Sequence, residues 1–171
     1  MPRAAILLVA LSMLAGVSRA SAQVESAVPA EARAAAQAMV DRFVDSWNRA
    51  DGAAYGKNYW PEAELVDPIG IISRGREAIV QEHVDLWAGP FKGSHIEGKV
   101  RRVRMLGPTF MMVDFDAALS GVHDLPPGSA ADSAGVVRNH LKHVMERRHG
   151  RWKVLAAQNT FIAPLAGGDR H

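Results

Sequence analysis

Four long segments in the second half of this chain carry strand patterns, and no helical segment separates them. Ser94 to Leu106, Thr109 to Val122, Val136 to Arg148 and Arg151 to Ala163 each fit a strand. Gly107-Pro108 and His149-Gly150 supply tight turns. Met111, Val113, Phe115, Ala117 and Leu119 alternate with Met112, Asp114, Asp116 and Ala118, giving that strand one apolar and one mixed face. A doubly wound parallel sheet needs crossover helices between its strands. Their absence leaves an antiparallel meander.

The helices come first. Pro29 to Ala50 reads as a helix, with Pro29 in the first turn and Val40, Phe43, Val44 and Trp47 on one buried stripe. Asp51-Gly52 stops it and opens a short second helix through Tyr55. Ala63 to Val66 is a short strand, turned by Asp67-Pro68, and Gly70 to Ile72 starts a return. Ser73 is placed to cap a third helix, which carries Ile79, His83, Leu86 and Trp87 and ends at Gly89-Pro90. The expected fold is α+β: a cone-shaped, strongly curved antiparallel sheet packed on three N-terminal helices, enclosing a pocket. Leu125 to Gly135, rich in Pro, Gly, Ser and Ala, reads as a loop between strands.

The N-terminus bears on compartment. Arg3 precedes an apolar run from Ala4 to Val17, and Ala20-Ser21-Ala22 supplies an A-x-A cleavage pattern. That is the layout of a secretory signal peptide. The run is shorter than the roughly 20 residues that span a bilayer. The alternative is a retained anchor. With no cysteine, the chain carries neither a lipid anchor on cysteine nor a disulfide. The expectation is an exported protein, periplasmic or secreted, with no membrane contact after signal removal.

The formal net charge of +2 rests on 20 basic and 18 acidic residues. Residues 1–22 contain Arg3, Arg19 and no acid, so the mature chain balances at 18 against 18. That argues against a nucleic-acid footprint. The clusters at Arg101, Arg102 and Arg104 and at Arg147, Arg148 and Arg151 read as solvated faces or hairpin ends.

Three segments carry a family resemblance: the helix VDRFVDSWNRADGAAY, the run AELVDPIG with the RGREAIVQEH helix after it, and the closing hairpin HLKHVMERRHGRWKVLAAQNTF. Together they resemble the nuclear transport factor 2-like superfamily, shared with ketosteroid isomerase-like and SnoaL-like polyketide cyclase-like proteins. Within it the chain looks most similar to the SgcJ/EcaC group, through the G-x-W-K-V step at Gly150 to Val154 and the Gln158-Asn159-Thr160 end. The resemblance covers about Ala34 to Pro164. The domain reading is then a signal segment at 1–22, an extension at 23–33, the cone at 34–164 and a tail at 165–171. The resemblance implies a homodimer and a pocket for a small apolar or aromatic molecule. It also implies cofactor-free isomerase, cyclase or dehydratase chemistry, with a non-catalytic ligand-binding or dimerisation module as the alternative.

Candidate site residues follow. Asp67 ends the first strand, where the resemblance places a pocket acid able to act as a base. An Asp-Pro turn, with the side chain bonded to nearby backbone, is the competing role. His140 and His143 lie three apart on one strand, so a regular strand points them to opposite faces. That argues against a shared zinc site. SnoaL-like chemistry makes Asp67 with one of them the expected catalytic pair. His83 sits near the buried helical stripe. Tyr55, Tyr59, Trp60 and Trp87 add aromatic pocket surface, with Tyr59-Trp60-Pro61 expected at the mouth. Trp47 and Trp152 read as core. Gln158 shares parity with Trp152, Val154 and Ala156 and is expected to face inward. Asn159 is expected on the opposite, dimerising side. No phosphate loop, dinucleotide fingerprint, G-x-S-x-G elbow or cysteine nucleophile is present, so neither cofactor nor metal is expected.

Overall fold

The computed structural model describes residues 28–125 and 128–163. The expected signal segment at 1–22 and the tail at 165–171 lie outside the described residues.

Helix α1 (Ala30–Asn48) forms where the apolar stripe recurs at helical spacing, and it buries Ala32, Ala36, Met39, Val40, Phe43 and Trp47. Pro29 is its N-cap rather than its first residue. Ala50 takes a φ of 50°, and Asp51 accepts a hydrogen bond from the Ala54 N–H at 2.9 Å. The chain therefore passes directly into α2 (Gly52–Gly56). Strand β1 (Tyr59–Val66) is longer than expected, because Tyr59 and Trp60 join it. The short strand β2 (Ile72–Arg74) returns antiparallel to β1. Helix α3 (Arg76–Ala88) has Gly75 as its N-cap, at φ 87° and with no capping side chain. Ser73 therefore does not cap this helix. It lies two residues before the N-cap, on strand β2, and its hydroxyl is used elsewhere.

Strands β3 (His95–Met105), β4 (Phe110–Ser120), β5 (Val137–Arg148) and β6 (Arg151–Phe161) form the antiparallel meander. His149-Gly150, at φ 50° and 75°, makes the tight β5–β6 turn, a backbone hand that matches strand twist. The sheet order is β2-β1-β6-β5-β4-β3. One pairing departs from the antiparallel expectation: β1 runs parallel to β6, with Leu65 opposite Ala157 and Val66 opposite Gln158. The buried residues Tyr59, Ala63 and Leu65 need covered neighbours, and the free edge of β6 supplies one.

The architecture is α+β, with the helices packed on one face of a six-stranded sheet. Register shifts on β3 between Val100 and Arg102, and in the β5–β6 pairing at Leu155, are bulges of the kind that bend strands. Alternate residues Met111, Val113, Phe115, Ala117 and Leu119 on β4, and Val137, Leu141 and Met145 on β5, are buried toward the helices. Each large apolar side chain so buried stabilises the fold by roughly 1.5–3 kcal/mol. Helix α1 comes close to β3 at Gly98. A methyl group there would lie 2.9 Å from Val44 Cγ2 and 3.0 Å from Val40 Cγ1.

Candidate functional site

Between the helices and the inner sheet face lies a cavity of about 400 Å³. Strand alternation and the helical stripe give it apolar walls: Phe43 and Trp47 from α1, Leu86 from α3, and Ile96, Leu141 and Phe161 from the sheet. A few polar groups interrupt these walls.

The first set is a wired chain of hydrogen bonds. His83 Nδ1 lies 2.8 Å from the Ile79 carbonyl, which only accepts, so Nδ1 carries the proton. Nε2 is then the acceptor, and the Tyr55 hydroxyl donates to it at 2.7 Å. The Tyr59 hydroxyl in turn donates to Tyr55 at 3.2 Å. Burial raises both phenol pKa values. Burial also pushes His83 down to about 4, partly opposed by its bond to Ile79. Tyr55 stacks on His83 with ring centroids 4.2 Å apart, and Trp47 meets His83 edge-on at 5.9 Å.

The second set is on the sheet. His143 is 1% exposed, and its ring meets Phe115 edge-on at 4.9 Å. Its Nδ1 is buried without a partner. Burial, and then the neighbouring His83, push it down to about 3, so it is neutral at physiological pH. Asn139 is 3% exposed and donates from Nδ2 to Asn159 Oδ1 at 2.8 Å, leaving its own Oδ1 buried and unpartnered.

The third set is acidic. Glu82 lines the cavity from α3, next to His83, and Ser73 Oγ donates to its Oε2 at 2.5 Å. Burial raises the Glu82 carboxyl above its ordinary value, the Ser73 bond opposes that rise, and the nearby Asp67 adds to it. Asp67 borders the same cavity. Its Oδ1 accepts from the Ile69 N–H at 3.0 Å and the Ile71 N–H at 2.7 Å. Asp124 lines it from the β4–β5 connection. Among the described residues, no three His, Asp or Glu side chains come together as a metal-ligand set.

No family model matches the sequence, and no curated protein matches it. Solved structures do. A ketosteroid isomerase-like protein from Erwinia carotovora atroseptica superposes with a TM-score of 0.62 at 14% identity, covering 80% of this chain and 100% of that one. Hexachlorocyclohexane dehydrochlorinase (LinA) Type2 gives 0.59 at 16% identity, covering 91% and 97%. An NTF-2 like protein of unknown function from Shewanella oneidensis MR-1 gives 0.58 at 16% identity, covering 71% and 93%. The fold is the nuclear transport factor 2-like cone.

Within the cone, Tyr55, His83, His143 and Asp67 line the cavity. Tyr59 sits behind Tyr55 as the end of the hydrogen-bonded chain. Trp60 is not at the mouth. As the neighbour of Tyr59 on β1 it points the other way, donates to the Glu146 carbonyl at 3.1 Å and lies under the Arg148 guanidinium. Trp87 is buried behind Trp47, edge-on at 5.7 Å, and does not line the cavity.

His140 faces away from the cone. Its Nδ1 is 2.9 Å from Asp116 Oδ1 and its Nε2 is 3.6 Å from Asp114 Oδ1, in an outer-face network with Arg101 and Lys142. Strand alternation separates it from His143, so the two do not act together. The bulge at Leu155 inverts the parity of β6 beyond it. Asn159 pairs with Leu141 on the inner face, and Gln158 pairs with Lys142 on the outer face, reversing the expected roles. Gln158 still borders the cavity but is exposed.

Sequence reasoning passed over Glu82, Asn139 and Asn159 as site residues. Asn139 shares parity with Leu141 and His143, a signal that would have found it. Glu82 becomes visible only when β2 brings Ser73 against α3.

Proposed function

We propose that this protein binds a small, largely apolar, ring-sized molecule inside the cone. The observation that carries this reading is the cavity itself: about 400 Å³ of space with apolar and aromatic walls, interrupted by a few fixed polar groups. That is the composition of a site that holds a greasy body and orients it through one or two hydrogen bonds. Export to the periplasm, cleavage after Ala22, a homodimer and kinship with the SnoaL-like and SgcJ/EcaC group belong to the same reading.

The test is native mass spectrometry of the protein recovered from the periplasm of expressing cells. A retained small molecule, released on activation, is the expected result. An empty cone, together with no uptake of a neutral hydrophobic dye, would overturn the binding reading.

A second reading adds catalysis, and Glu82 is the observation that favours it. A carboxyl whose proton affinity is raised by burial is suited to take a proton from carbon and return it. The ketosteroid isomerase-like and LinA neighbours support chemistry of this isomerisation or elimination type. On this reading Glu82 is the base, in place of the Asp67–histidine pair expected from sequence. Asp67 holds the turn and the local negative charge.

A further inference from the structure

Three carboxylates share the cavity: Glu82 from α3, Asp67 from the end of β1 and Asp124 from the β4–β5 connection. No Lys or Arg is among the described residues that line it. The two lining histidines are neutral, so no positive side chain balances these acids from inside. Like charge is already crowded, since Asp67 makes Glu82 harder to ionise.

The sheet wall of the cavity adds a separate observation. Asn139 is 97% buried, and its Oδ1 is an acceptor with no donor. A buried acceptor left unpaired costs about 1–3 kcal/mol, so such a group in a cavity wall marks where a ligand N–H or O–H belongs. Tyr55 offers a ligand no donor in compensation, because its proton is already committed to His83. Trp47, Phe91 and Phe161 complete the lining with aromatic surface, whose faces attract cations.

We propose that the ligand of the cone is an organic cation, a protonated amine on a ring-sized apolar body, with its ammonium between Glu82 and Asp67 and its body against the aromatic wall. This inference rests on the reading of the cavity as a ligand site and names the ligand's chemical class. An anionic ligand meets the like charge of three carboxylates in this cavity, with no Lys or Arg among the described lining residues to offset it. A neutral alcohol of the same shape satisfies the hydrogen bonds but leaves the carboxylates unbalanced.

The test uses three molecules that share an indole ring and differ in the end group: tryptamine, indole-3-ethanol and indole-3-acetate. Each is titrated by calorimetry into protein purified from cells expressing the full chain. Tryptamine is expected to bind at least about tenfold tighter than indole-3-ethanol, equivalent to about 1.4 kcal/mol. Indole-3-acetate is expected to bind weakest. The tryptamine preference should shrink in Glu82→Gln and, by a smaller factor, in Asp124→Asn, an exposed position outside the helices and strands. It should also fall as salt is raised.

Equal affinity for tryptamine and the alcohol, or preference for the acetate, would overturn the cation inference and leave the binding reading standing. Failure of all three to bind, with a neutral or anionic molecule retained in the native mass spectrum, would overturn the inference alone. Failure of all three with an empty cone and no uptake of the neutral dye would overturn both.

Discussion

At the scale of single residues, the site is organised by which protons are already spoken for. Tyr59 donates to Tyr55, Tyr55 to His83, and His83 to the Ile79 carbonyl. Every hydrogen in that row has an acceptor within the protein, so the row shapes the cavity without offering it an acid. His143 is buried and neutral. On the catalytic reading, proton exchange with a ligand falls to Glu82, which is half-buried and raised above its ordinary value. If the catalytic reading holds, Glu82→Gln will slow exchange of an acidic C–H of the retained ligand with D2O by about 10²–10⁴-fold, followed by NMR. Exchange at the wild-type rate in Glu82→Gln would remove Glu82 as the base.

At the scale of elements, the packing of α1 on β3 depends on the missing side chain at Gly98. Gly98→Ala places a methyl group at 2.9–3.0 Å from Val44 and Val40, inside normal contact. The helix must shift or the valines must leave their rotamers, so the expected loss is about 1–3 kcal/mol in urea unfolding. An unchanged midpoint would show that α1 is free to slide. The elements themselves were legible in the sequence, because α1 and the four meander strands carry periodicities of 3.6 and 2, and α3 spaces its buried Ile79, His83 and Trp87 four residues apart. Their relations were less so. The parallel β1–β6 pairing leaves no mark on local pattern. The bulge at Leu155 is a single extra residue that exchanges the faces of Gln158 and Asn159. The site suffered from the same gap. His83, His143, Tyr55 and Asp67 could be picked out by type and position, whereas Glu82 gains its partner only through the tertiary approach of β2 to α3.

At the scale of the whole molecule, the two buried histidines set an acid limit on stability. Burial lowers His83 to about 4 and His143 to about 3, against an unfolded value near 6.5. Between these values the unfolded chain binds protons that the folded chain does not, so stability rises with pH. The contribution is complete above about pH 6.5 and is lost as pH falls toward the folded values. Each histidine contributes a slope of up to about 1.4 kcal/mol per pH unit. Urea unfolding at pH 7.5 and pH 5 should show this loss, and His143→Gln should remove about half of it. A wild-type slope retained in His143→Gln would mean that His143 is protonated in the fold.

The parallel seam between β1 and β6 has a consequence for the order in which the protein is made. A growing chain can complete α1 through β5 and still have an unpaired first strand, because its partner is the last strand to emerge. Until then β1 offers a bare hydrogen-bonding edge on one side, the kind that other chains join. A product truncated before Arg151 lacks both a wall of the container and the cover for that edge. Such a fragment should cluster with its own kind instead of surviving as a weaker binder, which makes the cone an all-or-none vessel.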